Sequence, residues 1–67
     1  MKVLSSMWFN SLRGECIGLV LVDAGAELKA YLGSAMSGTE DADVKHICSF
    51  GAKFPVDAAK IALGYKG

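Results

Sequence analysis

Glu40, Asp43 and His46 follow one another at three-residue steps, two carboxylates and an imidazole within two turns of a helix-like segment. Side chains of these types hold a metal ion if they converge. A three-residue step precesses around a helix, however, and carries His46 toward the solvent side, leaving the acids to complement the positive helix start. His46 and Cys48 offer a base and a nucleophile, but positions i and i+2 of a helix point apart. Cys16 meets His46 only if tertiary structure brings it there. Lys53, beside Phe54, either presents a charge to an anionic ligand or is a solvated loop lysine. These patterns lead us to expect no catalytic constellation, no metal site and no cofactor.

Val20-Leu21-Val22-Asp23-Ala24-Gly25 resembles a strand feeding the Asp-x-Gly phosphate hairpin of sugar kinases and actin-like ATPases. Those folds need far more chain to cradle a nucleotide, so the segment reads as a plain hairpin turn. Gly14-Glu15-Cys16-Ile17-Gly18 lacks the Lys and Ser/Thr of a phosphate loop and the context of a dinucleotide fingerprint. Recognition falls instead to Met7, Trp8, Phe9 and Tyr31, residue types enriched at interface hot spots. The competing assignment is to the chain's own core, where a small domain commonly spends its Trp.

The elements that position these residues divide by period. Cys16 to Val22 and Glu27 to Gly33 favour strands, and Asp23-Ala24-Gly25-Ala26 supplies turn chemistry between them. Pairing Val22 with Glu27, Val20 with Lys29 and Gly18 with Tyr31 segregates the faces. Ile17, Leu19, Leu21, Leu28, Ala30 and Leu32 form one apolar face. Cys16, Gly18, Val20, Val22, Glu27, Lys29 and Tyr31 form a mixed one, with the Tyr31 ring across Gly18. Val3 to Phe9 is either a third strand, turning at Arg13-Gly14, or a loose arm.

The second half is helical. Ser37 and Glu40 have capping-box spacing, with Thr39 a competing cap, and Val44, Ile47, Cys48 and Gly51 recur at helical spacing. Pro55 suits the start of a second helix and Gly64 its end. On that helix Val56, Ala59 and Leu63 form one stripe while Ala58 and Ile61 point elsewhere, more apolar surface than one core takes.

A chain of 67 residues is one domain, 1–67, too short for TIM barrels, two-domain dehydrogenases or the kinase fold. Its own core supplies little net stability. With 52% hydrophobic and 21% charged residues, the composition favours a partner surface. Seven basic residues balance seven acidic ones and lie spread along the chain, against the clustered cations of a nucleic-acid binder. Two cysteines outside any C-x-x-C spacing read as buried thiols, not as a disulfide framework. With no signal-like start and an apolar stretch far too short for a membrane helix, the chain reads as cytoplasmic, with no membrane partner.

The expected fold is α+β: a β-hairpin sheet of two or three antiparallel strands, then two short helices packed on one face, completed by oligomerisation. The expected function is a non-enzymatic interaction or accessory module acting as a homo-oligomer, a dimer or higher even number, with an unidentified protein as a further partner. Its interface is expected to contain Trp8, Phe9, Val20, Val22, Tyr31 and Ile61. The alternatives are a ligand-binding or enzymatic module with a site between subunits, and a weak nucleic-acid-binding dimer. The latter architecture is similar to ribbon-helix-helix repressors, but a reading strand needs more polar residues than Lys29 and Tyr31.

Overall fold

In the computed structural model, which describes residues 2–10, 16–35 and 39–66, six elements follow in the order β1 (Lys2–Asn10), β2 (Cys16–Asp23), β3 (Leu28–Ser34), α1 (Glu40–Phe50), β4 (Ala52–Phe54) and α2 (Val56–Leu63). The four strands make one antiparallel sheet in the order β1-β2-β3-β4. The class is α+β, with one strand more than the sequence suggested: the Lys53 segment pairs along β3, Tyr31 opposite Lys53 and Ala30 opposite Phe54. The N-terminal stretch is a strand; the Arg13-Gly14 turn and the Ser37 cap lie outside the described residues.

The hairpin keeps the expected faces but slides by two residues. Val22 lies opposite Lys29, Val20 opposite Tyr31 and Gly18 opposite Gly33. A shift of two preserves the pleat, so the segregation of side chains survives. The loop moves accordingly. The Ala24 N–H donates to the Glu27 carbonyl at 3.0 Å, Gly25 takes φ +96°, and the Gly25 N–H donates to Asp23 Oδ1 at 2.9 Å. Thus the Asp23 carboxylate, the chemical centre of the phosphate-hairpin resemblance, bonds the backbone two residues on.

The helices do not share a face. Ala59, Val56 and Leu63 of α2 pack with Leu19, Leu21 and Ala30. Val44 and Ile47 of α1 pack with Val20 and Val22 on the opposite side. This corrects the expectation of both helices on the Leu19–Leu21 face, and the reason is in β2 itself. Successive side chains alternate sides, and Leu19, Val20, Leu21 and Val22 are all buried, so both faces require an apolar cover. β4 carries the chain past the β3 edge between the two helices.

Close approach at two glycines seats α1. A side chain at Gly18 would overlap the Trp8 ring and come within 2.6 Å of Ile47 Cδ1; at Gly51 it would lie 2.5 Å from the Ile47 carbonyl oxygen and 3.0 Å from that of Leu32. Trp8, opposite Gly18 on β1, therefore covers the glycine expected beneath Tyr31. Thr39 holds the N-cap position of α1, and Gly51 ends it with its N–H on the Ile47 carbonyl at 2.8 Å. Pro55 occupies the N-cap position of α2, one residue before the expected one, and its carbonyl accepts from the Ala59 N–H at 2.9 Å. Gly64, left-handed at φ +67°, closes α2 and turns Tyr65 back onto the Leu21 cluster.

Leu21→Ala should cost about 2–5 kcal/mol, enough to unfold a chain of this size, as read by chemical denaturation. Gly18→Val should also destabilise, by about 1–3 kcal/mol, because neither the Trp8 ring nor Ile47 can withdraw without opening the core. A Gly18→Val protein as stable as the parent would show that Trp8 does not lie over this strand.

Candidate interaction surface

β1 is the first strand of the sheet, and among the described residues nothing pairs with its outer side. An edge strand presents a row of open N–H and C=O groups. Natural edges are blunted by charge, brevity or bulges. Here Lys2 is the one charged residue of nine, and the register breaks once, between Val3 and Ser5, leaving Leu4 as the extra residue. From Ser5 to Phe9 the strand is regular, pairing with Leu21 through Ile17. Alternation puts Ser5, Met7 and Phe9 on the α2 face with Leu21, Leu19 and Ile17. Ser6 and Trp8 fall on the α1 face with Val20 and Gly18.

The α2 cover ends before the sheet does. Eight helical residues span about 12 Å, whereas eight strand residues span about 26 Å. Met7 and Leu4 reach the α2 cluster; Phe9 and its partner Ile17 lie beyond it. Phe9 is 42% exposed and Ile17 half-buried, an apolar row at the end of the edge strand.

The structure divides the residues assigned to an interface from sequence. Phe9 and Ile61 are at the surface, Ile61 at 83% exposure on the outer side of α2 beside exposed Ala58 and Ala62. Trp8 and Tyr31 are half-buried, packed against the α1 cluster. Val20 and Val22 are wholly buried beneath α1, which overturns the expectation that this face stands open. Four of the six therefore gather in one place, inside the chain's own fold. Sequence reasoning missed Phe50, 78% exposed at the end of α1, its ring 5.1 Å from that of His46. It also missed Val3, 46% exposed beside the bulge. The available signal for Phe50 was its position off the Val44–Ile47–Cys48 stripe.

The groups with chemical potential disperse. Asp43 turns inward, 4% exposed, while Glu40 is exposed and His46 leans on Phe50. Among the described residues no three His, Cys, Asp or Glu side chains are placed to hold a metal ion. A shallow cavity of about 280 Å³ between β1 and α1 is lined by Val3, Ser6, Glu40, Asp41, Val44 and Lys45. A second, of about 230 Å³, follows β3 past the end of β4, where Lys29, Tyr31 and Lys53 meet Phe54 and Val56. Lys29 and Tyr31 alternate onto one side of β3 and Lys53 stands opposite Tyr31, so two lysines neighbour the tyrosine on one face of the sheet. Lys29 Nζ lies 4.0 Å from Glu27 Oε1, an exposed pair worth little.

No protein-family model, curated protein or solved structure matches the chain. Among the described residues no helix is long and apolar enough to cross a membrane.

Cys16 and Cys48 are free thiols, both half-buried where the sequence suggested full burial. Burial pushes the Cys48 thiol up from its ordinary pKa. The fold thus favours the neutral thiol, a contribution present below the unfolded-state pKa and lost as pH rises through the folded one. In a Cys16→Ser protein, the pH midpoint for iodoacetamide labelling of Cys48 should lie above that of the denatured chain. A coincident midpoint would show a solvated sulfur.

Proposed function

We propose that the protein is a non-enzymatic interaction module that works as a homo-oligomer in the cytoplasm, a dimer or a higher even assembly. The observation that supports this reading is β1: nine residues long, with one charge, an outer side that none of the described residues pairs with, and exposed Phe9 next to its last residue. Extended, weakly charged edges of this kind template the addition of another strand. The size of the chain points the same way, because a 67-residue domain gains proportionally more than a large one from each further area buried.

Net charge supports self-association as well. At a formal charge of zero two copies approach without long-range repulsion. The exposed outer side of α2 at Ala58, Ile61 and Ala62 is a second apolar surface through which an assembly larger than a dimer would grow.

Light scattering at micromolar concentration should return an even multiple of 7.0 kDa. A folded species of 7.0 kDa across that range would overturn the reading. A second reading, binding of a small anion, is favoured by the cavity holding Lys29, Tyr31 and Lys53. Inorganic phosphate and small carboxylates should then raise the melting temperature, since a ligand at 100 times its Kd adds about 2.7 kcal/mol. Equal responses in the parent and a Lys29→Gln/Lys53→Gln protein would dismiss it.

A further inference from the structure

We propose that β1 pairs antiparallel with β1 of a second copy about a two-fold axis through Met7, fusing the two sheets into one of eight strands. This rests on the homo-oligomer reading and specifies its seam.

The two ends of the sheet are not equivalent. β4, at the other edge, is three residues long, carries exposed Lys53 and runs directly into Pro55, which has no N–H to donate. Strand addition onto β1 has two routes between copies. Joining β1 to β4 of the next copy is heterologous and gives a ring or an open filament; joining β1 to β1 is isologous and closes as a dimer. The blunted β4 disfavours the first route. The long β1, without a charge between Val3 and Asn10, suits the second.

Register follows from the pleat. An antiparallel two-fold seam keeps each face of the sheet on its own side, so opposed residues must come from the same face. Ser5, Met7 and Phe9 share the α2 face, and Ser6 and Trp8 the α1 face. With Met7 on the axis, Phe9 of each copy stands opposite Ser5 of the other, and Trp8 opposite Ser6. Large rings then meet small hydroxyl side chains, and the exposed Phe9 ring gains the space above Ser5. The Leu4 bulge ends the ladder, and the two Lys2 ammonium groups lie at opposite ends of the seam. Centring the axis on Trp8 instead sets two indoles against each other and Phe9 against Met7, with the serines left without large neighbours.

Amide hydrogen exchange reads the seam directly. On a free edge every second amide of Ser5 to Phe9 faces solvent; in the dimer all of them should be protected, at least a hundredfold over the unfolded chain. A mixture of labelled and unlabelled copies should show intermolecular nuclear Overhauser contacts between Phe9 and Ser5. Phe9→Lys, which alters an exposed side chain, should raise the dimer dissociation constant at least tenfold with the circular dichroism unchanged. A dimer in which alternate β1 amides exchange freely overturns the seam and leaves the homo-oligomer reading intact. Intermolecular Trp8–Trp8 contacts overturn the register. A monomer of 7.0 kDa overturns both.

Discussion

Burial on both sides of β2 is the constraint from which the rest of the structure follows. Leu19 and Leu21 project to one face, Val20 and Val22 to the other, and all four are removed from water. At about 25 cal/mol per Å² of apolar surface, leaving either pair wet would forfeit several kcal/mol, a large share of what a chain this short has. Each face therefore takes a helix. Because α1 and α2 are neighbours in sequence, the chain between them must pass from one face to the other. It does so beside β3, and those residues, Ala52–Phe54, become β4.

That arrangement uses up the covering elements. With one helix on each face and β4 against β3, none of the described elements is left to shield the outer side of β1. Helix length sharpens the effect. α2 is shorter than the strands it covers, so Phe9 and Ile17 run past it. Exposed apolar surface in this fold thus concentrates at an edge and at helix exteriors, and not on an open sheet face. The distinction matters for partners. An open face accepts any apolar surface of the right shape, whereas an open edge asks for an extended backbone in a fixed register.

Much of this was legible in the sequence. Alternation in residues 16–34 placed the faces correctly even though the register slid by two, because a shift of two leaves the pleat unchanged. The stripe of Val56, Ala59 and Leu63, and the outward Ile61, followed from helical periodicity. What escaped was tertiary. Cys16, Gly18, Glu27, Lys29 and Tyr31 made the second face look mixed. Yet the charges sit near the turn, and the middle of that face is valine and glycine, matched by Val44 and Ile47 of a helix distant in sequence. β4 escaped because three residues ending at Pro55 carry no strand period. Among the proposed interface residues, Val20 and Val22 were misplaced for the same reason the helices were, and Phe50 stood outside every periodic stripe.

The position of Trp8 joins the core to the edge. Its ring lies over Gly18 and completes the α1 cluster, so β1 is held to β2 by a large side chain as well as by its ladder. A strand anchored in this way stays extended and in fixed register with its outer groups aligned, which lowers the ordering cost of adding another strand. The residues around it divide the work. Leu4 and Met7 tie the strand to the α2 cluster, Trp8 to the α1 cluster, and Phe9 is left over near the end as an exposed residue. Small Ser5 and Ser6, beside the bulge, leave room on both faces of the same strand. The size pattern from Ser5 to Phe9, small side chains first and bulky ones last, is complementary to itself when reversed, and an antiparallel two-fold seam performs that reversal.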